Sequence, residues 1–144
     1  MKISRVFLDA NILLDMIDRD RGNIDRTRHL LGKMLEDGVV LYTSCDILSN
    51  IYYVARKQLP KQQLIEEMLR IIEIFEIVEI NKTMAKSALL ENLEVPNLDF
   101  EDLLQSTCAE TVECDLIVSN DKRFVQGNVP VLSTTEAEKL MEHA

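Results

Sequence analysis

Apolar residues follow two different spacings along this chain. In ISRVFLDA they form a short continuous run, which predicts a buried strand ending at Asp9. In the NILLDMIDR that follows, they recur at helical spacing and lie on one side of a predicted helix. The chain is therefore predicted to open with a strand followed directly by a helix.

The same alternation continues through the rest of the sequence. Further strands are predicted at VVLYTS, FEIVEI, DLIVS and VPVLS. The predicted helices run from a cap at Asp25 to near Gly38, from Asp46 towards Pro60, from Pro60 to about Ile74, around Thr83–Asn92, from Asp99 to about Glu113, and from a cap at Thr134 or Thr135. Strands that alternate with helices favour a mainly parallel sheet covered on both faces. With no repeat, linker or low-complexity segment, the prediction is one α/β domain over residues 1–144.

Composition narrows the class of protein. The chain has 144 residues, of which 47% are apolar, so it can bury a substantial core and is not disordered. No apolar run approaches a membrane span, and Asp9 interrupts any signal-peptide core, so we expect a cytoplasmic protein. The three cysteines lack metal-site spacing and are expected to be buried, reduced thiols. His29 and His143 show no partner spacing for catalysis.

The net charge of −9 argues against a general nucleic-acid coat protein, which needs a basic surface to neutralise phosphates. It does not exclude an enzyme that acts on nucleic acid. Part of the negative charge can be concentrated in a metal site, where bound cations offset it.

Carboxylates fall where a parallel α/β sheet gathers functional groups. Asp9 ends the first predicted strand, and Asp121 follows the fourth. Asp99 and Asp102 share one face at the start of the helix that leads into the fourth strand. Because functional groups collect at the carboxyl ends of parallel strands, we expect these aspartates to meet at one edge of the sheet.

Each acid also has a structural explanation. Asp99 is a candidate N-cap, Glu101 and Asp102 favour the helix dipole, and Asp121 suits a turn. Asp9 is harder to explain in this way, because a carboxylate directly after VFL carries a desolvation cost. Converging carboxylates repel one another unless hard cations such as Mg²⁺ or Mn²⁺ offset them. A metal-dependent phosphodiesterase or nuclease is the hypothesis that follows.

Three segments carry a resemblance to a known family. VFLDANILLDMI, DFEDLLQSTCAETVECDLIVSND and VPVLS resemble the PIN-domain family, and within it the toxin-like ribonucleases of the VapC type. The resemblance implies a three-layer α/β/α sandwich and a Mg²⁺- or Mn²⁺-dependent endoribonuclease that hydrolyses RNA phosphodiester bonds. It also implies the toxin of a toxin–antitoxin pair, with an antitoxin protein as partner, and a homodimer. The apolar helix pair in IYYVARKQLPKQQLIEEMLRIIEIF favours dimerisation too.

The resemblance can be carried over residue by residue. It implies that the metal ligands and catalytic acids are Asp9, Asp99, Asp102 and Asp121. Asn11 matches a polar position of the family, and Ser119 is expected to support the site. The family usually places a Glu on the helix after the second strand, where this chain has Asn50. Asn50 would orient a metal-bound water, and Asp46, one helical turn earlier, could partly substitute for the missing acid.

Basic residues that could meet RNA are few. Lys122 and Arg123 directly follow Asp121 and are the predicted RNA-binding residues. The other candidates lie on neighbouring helices or on a solvated face: Arg19, Arg21, Arg56 and Lys57. Tyr52 and Tyr53 either stack on bases or pack in the core or an interface.

Two other functions remain open. Because Asn50 removes one carboxylate, the domain could be a catalytically weak PIN-like binding or interaction module. A receiver-like signalling domain would want paired acids after the first strand and a Lys at the end of a late strand, and LIVSND supplies no such Lys.

Overall fold

One parallel sheet organises the chain. The computed structural model describes residues 2–124 and 127–142, so His143 lies outside the described residues. Within those ranges the strands are β1 Arg5–Leu8, β2 Val40–Ser44, β3 Glu76–Val78, β4 Leu116–Val118 and β5 Val131–Leu132. Every pairing is parallel, and the strand order is β3-β2-β1-β4-β5. The predicted parallel sheet is confirmed.

Helices occupy the connections between the strands. They are α1 Ala10–Ile17, α2 Ile24–Glu36, α3 Cys45–Ala55, α4 Lys61–Ile74, α5 Lys82–Glu94, α6 Phe100–Thr111 and α7 Thr134–Glu142, with a 3₁₀ turn at Arg19–Arg21. The order proceeds from β1 to β3 in one direction and then returns to β4 on the other side of β1. Since crossovers between parallel strands are right-handed, this reversal places α5 and α6 on the opposite face from α1 to α4. The result is the expected three-layer α/β/α arrangement.

The central strands are buried on both faces. Val6, Phe7 and Leu8 of β1 are fully enclosed, and β4 is buried along its length. A smaller apolar cluster joins α5 to α6 through Ala88, Leu103 and Leu104. Continuous apolar strands of this kind require cover on both sides, which the two helical layers supply. No helix in the described ranges is long and apolar enough to cross a membrane.

Several predicted element ends were wrong. Strand β1 ends at Leu8, and Asp9 instead caps α1. Helix α2 begins after Asn23, so Asp25 lies inside its first turn rather than at the cap. At α7 the reciprocal bonds join Ser133 and Glu136 (3.0 and 3.1 Å), a capping box that leaves the cap to Ser133 and not to Thr134 or Thr135.

The thiols agree with the expectation in two cases out of three. Cys108 and Cys114 are buried, and burial raises the pKa of each to about 12. Both are therefore thiols at neutral pH and unreactive as nucleophiles. Cys45 is exposed at the start of α3, so the prediction of burial was wrong for it.

Candidate active site

Asp9 lies where the strand order reverses, between β1 and β4. Its Oδ1 accepts a hydrogen bond from the Ile12 amide (3.1 Å), and its Oδ2 accepts one from Ser119 Oγ (2.5 Å). The residue is only 4% exposed. Burial raises the pKa of Asp9, and the hydrogen bonds from Ser119 and Ile12 oppose that rise. Its carboxylate is thus held in one orientation at the reversal point, where open α/β sheets bind ligands.

Ser119 connects Asp9 to the segment that follows β4. Its amide donates to the Leu132 carbonyl of β5 (2.9 Å), which fixes the backbone. Its hydroxyl oxygen also accepts from the Asp121 amide (3.1 Å) while donating to Asp9. One serine therefore links two of the predicted acids, which supports the placement expected from the sequence.

The first turn of α6 delivers two further acids. Asp99 is the N-cap, and its Oδ1 accepts from the amides of Glu101 (2.7 Å) and Asp102 (3.3 Å). The structural explanation for Asp99 is therefore correct for that oxygen. Asp102 is half-buried, and its pKa is raised to about 6 by burial first and then by the negative charges of Asp99, Asp121, Asp9 and Glu101. The four predicted aspartates thus interact electrostatically across one space.

That space is a cleft of about 540 Å³. The predicted residues that line it are Asp9, Asn11, Asn50, Asp99, Asp102, Asp121 and Arg123. Among the described residues, no three carboxylate, imidazole or thiol groups already converge on one point as a finished metal site. The acids surround the cleft rather than meeting at its centre.

The position of Asn50 distinguishes it from Asp46. Asn50 projects from α3 to line the cleft. Asp46 accepts a hydrogen bond from the Ser44 hydroxyl at the start of α3 and is not part of the cleft lining. The structure therefore brings Asn50, and not Asp46, to the place where a family Glu was expected.

Sequence reasoning missed three polar residues of the cleft, which are Asn97, Glu101 as a lining group, and Gln105. Gln105 is 7% exposed, and its Oε1 has no hydrogen-bond partner in the described structure. It lies one helical turn after Asp102, so the i, i+3 spacing on α6 was a usable signal. Asn97 lies in an irregular segment that carries no periodic signal.

The basic candidates separate into two groups. Arg123 lines the cleft with a side chain that is 93% exposed, and its Nε lies 3.8 Å from Asp121 Oδ1. Lys122 lines a neighbouring hollow together with Ser119, Asp121 and Glu136, so it lies beside one of the predicted acids without lining the cleft itself. Arg19 is exposed in the 3₁₀ turn. The remaining candidates line a separate hollow beside Tyr53: Arg21, Arg56 and Lys57.

Comparisons with known proteins agree with this fold. A family model described as the PIN domain matches residues 5–123. Ribonuclease VapC1 of Aquifex aeolicus (strain VF5) is 32% identical over 138 residues, which cover 94% of this chain and 94% of that protein.

Two solved structures share the fold at low sequence identity. VapBC2 from Rickettsia felis, bound to a DNA fragment from its promoter, superposes with a TM-score of 0.69 at 18% identity, covering 90% of this chain and 98% of that one. VapC20 from Mycobacterium tuberculosis, described as a toxin that cleaves the sarcin-ricin loop, gives a TM-score of 0.67 at 11% identity, covering 85% and 98%. At these identities the likeness concerns the fold alone.

Proposed function

Because the chain belongs to the PIN domain family, we propose that it is a metal-dependent endoribonuclease that hydrolyses RNA phosphodiester bonds, and that it is the toxin of a toxin–antitoxin pair. The observation that most directly supports this proposal is the cleft at the reversal of strand order. The end of β1, the start of α6 and the segment after β4 each bring an aspartate to it. The ribonuclease name of the Aquifex aeolicus relative supports the activity. An RNA substrate makes the cytoplasm the proposed place of action.

The residues of the cleft fit a divalent cation. The available donors are carboxylate and amide oxygens, the hard ligands that Mg²⁺ and Mn²⁺ prefer. Burial first, and then the negative charges of the neighbouring acids, raise the pKa of Asp102, and a bound cation would offset the second of these effects. The unpartnered Gln105 Oε1 is a buried acceptor that a bound water would satisfy. We propose that Asp9, Asp99, Asp102 and Asp121 hold the metal, after rotation of the more exposed side chains.

The residues around the cleft then have distinct tasks. Mg²⁺ or Mn²⁺, held by the four aspartates, would supply a lowered pKa for a bound water and a counter-charge for the leaving oxygen. Ser119 and the Ile12 amide hold the Asp9 carboxylate in one orientation, so Asp9 is the ligand whose position changes least when a metal binds. Gln105 Oε1 accepts a hydrogen bond from the substrate or from water, and the Asn50 amide orients a water across the cleft. Arg123 lies at the open side, where it can meet a phosphate.

Two protein partners belong to the proposal. A toxin of this kind is expected to bind an antitoxin, and the Rickettsia felis structure that shares this fold is a VapBC complex. We also propose a homodimer, which the exposed apolar faces of the helices favour.

Asn50 supports a second candidate function. A neutral amide in the cleft leaves the site with less negative charge than a glutamate would, which weakens cation binding. If that weakening is large, the domain is a catalytically weak interaction module. Such a module would bind partners without cutting RNA.

RNA cleavage with end-labelled structured transcripts tests the proposal. The wild-type chain should cleave with Mn²⁺ or Mg²⁺ and stop when EDTA is added, whereas Asp9→Asn should be inactive at all metal concentrations. The melting temperature should rise with millimolar Mn²⁺, because a ligand that binds the folded state stabilises it. Asp9→Asn with Asp102→Asn should lose that rise.

Asp37→Asn is the matched control, because Asp37 lies at the end of α2 and pairs with Lys33 (3.4 Å). It should behave as wild type in both measurements. Cleavage that survives EDTA, or that is equal in Asp9→Asn, would refute the nuclease proposal. A Mn²⁺-dependent rise in melting temperature without any cleavage would favour the interaction module.

A further inference from the structure

A second hollow, of about 580 Å³, lies beside the 3₁₀ turn and the end of α3. Its lining includes Asp18, Arg21, Tyr53, Arg56, Lys57 and Gln58. None of these residues has a task in the proposed cleavage. We call this space the α3 hollow.

Two planar side chains stack at the α3 hollow. The guanidinium carbon of Arg56 lies 4.8 Å from the centroid of the Tyr53 ring. Tyr52 meets the same ring edge-on, with centroids 5.8 Å apart and planes at 86°. Tyr53 nevertheless remains 57% exposed. A fixed and exposed stack of a phenol ring and a guanidinium is a suitable platform for a nucleobase, which stacks on either group.

The charge of the α3 hollow differs from that of the whole chain. Arg56 and Lys57 form no ion pair among the described residues, so their charges are available to a ligand. Arg21 is partly neutralised by Asp15 (2.7 Å). Asp18 is buried, and its carboxylate accepts a hydrogen bond from the nearby Asp20 amide (3.0 Å). The side chain of Asp20 is the exposed acid of the lining. Three cations against two carboxylates give the lining a net charge of +1, in a chain whose net charge is −9.

The α3 hollow adjoins the acid cleft. Arg21 Nη2 lies 3.5 Å from Asn11 Oδ1, and Asn11 lines the cleft while Arg21 lines the hollow. On α3, Asn50 lines the cleft and Tyr53 lines the hollow. Residues three apart on a helix are neighbours on its surface. A strand of RNA in the cleft therefore has a direct path into the hollow.

We propose that the α3 hollow binds a nucleotide of single-stranded RNA next to the bond that is cut, with its base on the Tyr53–Arg56 stack and its phosphate near Lys57 and Arg21. This inference rests on the proposed ribonuclease function. A base paired within a duplex does not offer its face to a side chain, so the site selects unpaired RNA.

Binding of a fluorescent single-stranded RNA oligomer, followed by anisotropy, tests the proposal. The measurement uses the Asp9→Asn background with Mg²⁺, is repeated on the wild-type chain in EDTA, and includes a gel that shows the oligomer intact. Tyr53→Ala should weaken binding by at least about fivefold, the lower end of what loss of one stacked base costs. Tyr53→Phe keeps the ring and should bind within about twofold of its parent.

Charge variants provide an independent readout. Lys57→Gln should reduce the slope of log affinity against log salt by about 0.7, the value for one phosphate contact on a single strand. Arg70→Gln on α4 is the matched control, since its side chain is also exposed, and it should leave affinity and slope unchanged. A duplex RNA of the same sequence should be insensitive to Tyr53→Ala.

The outcomes separate this proposal from the nuclease proposal. Absence of oligomer binding, or equal affinity for Tyr53→Ala and its parent, overturns the α3 hollow even if the wild-type chain cleaves RNA. If Tyr53→Ala changes the mass of the RNA-free protein in light scattering but not its affinity for RNA, the hollow is a protein interface. That result also overturns the proposal of RNA binding. Tyr53-dependent binding by a chain that never cleaves RNA supports the hollow and refutes the nuclease.

Discussion

Asp102 links the chemistry of the cleft to the stability of the fold. Its pKa of about 6 lies above the unfolded value of 3.8, chiefly because of burial and then because of the neighbouring acids. The folded chain therefore holds this proton more tightly than the unfolded chain. Between these two pKa values the stability contributed by Asp102 falls as pH rises, and above about pH 6 the penalty is complete. The pKa of Asp9 is shifted in the same direction.

We predict that Asp102→Asn stabilises the metal-free chain at pH 7 and has little effect at pH 4. The gain at pH 7 should be roughly 1 kcal/mol after allowance for solvent screening at a half-exposed group. Urea unfolding in EDTA at both pH values measures it. Asp37→Asn, at the exposed end of α2 and outside the cleft, is the control substitution in the same measurement. An equal effect of Asp102→Asn at both pH values would contradict a raised pKa.

For Asn50 we predict that adding a negative charge strengthens metal binding, whereas at Asp102 removing one stabilises the metal-free fold. Asn50→Glu places a further carboxylate in the cleft and should tighten Mn²⁺ binding by about 1–3 kcal/mol, the range for a charge-assisted contact. Isothermal titration measures the affinity, and cleavage at low metal concentration should rise in parallel. Asp46→Asn should leave Mn²⁺ affinity unchanged, because Asp46 is engaged with Ser44 outside the cleft. Unchanged affinity in Asn50→Glu would mean that position 50 does not face the metal.

The placement of the site residues was predictable where the backbone dictates it. Asp9 and Asp121 follow strands, and Asp102 shares a helical face with Asp99, so the sequence alone was sufficient to bring them together. Gln105 was missed because a glutamine on a helix ordinarily points to solvent. Its unpartnered oxygen is visible only after packing has buried it. Arg123 lines the cleft and Lys122 the neighbouring hollow, because neighbours in a turn point in different directions.

At the scale of elements, α4 exposes apolar residues that its own domain does not bury. Leu64 and Ile71 are fully buried on its inner face. On the outer face Ile65, Leu69 and Ile72 recur at helical spacing and are each more than 40% exposed. An amphipathic helix of a monomer normally keeps that face polar. The stripe formed by Ile65, Leu69 and Ile72 is therefore the surface that we expect a second molecule of this protein to cover in a homodimer.

We predict that Leu69→Lys with Ile72→Lys converts a dimer into a monomer, because two charges would be buried in the interface. The dissociation constant should rise at least about tenfold. Light scattering at micromolar concentration measures the mass, and circular dichroism checks that the fold is kept. Thr111→Lys, at the exposed and polar end of α6, is the control and should leave the dimer intact. A monomeric wild-type chain at that concentration would contradict the prediction.

The ends of elements were less predictable than the elements themselves. Helix α2 begins early enough to bury Ile24, so packing outweighed the capping preference of Asp25. At α7 the sequence did contain the correct signal, since Ser133 and Glu136 have the capping-box spacing. Helix α3 ends at Ala55, well before Pro60, because the amides of Gln58 and Leu59 turn back to the Ala55 carbonyl.

At the scale of the whole molecule, alternation predicted the parallel sheet but not the order of its strands. No local pattern in the sequence states that the chain returns past β2 and β1 after β3. That reversal sets β4 beside β1, and with it Ser119 against Asp9. The long-range pairing is decided by which buried surfaces fit, which a reading of single segments does not reveal.

The strand order also affects the chain during its own synthesis. The partner of the Asp9 carboxylate, Ser119, is translated 110 residues later. At about 5–20 residues per second, that interval lasts roughly 5–20 s. The nascent chain can form α1 to α4 in that time, but β1 lacks its neighbour β4 and the two groups of acids are not yet together. The ribosome and its message are therefore exposed only to an inactive precursor of the proposed ribonuclease until β4 has emerged.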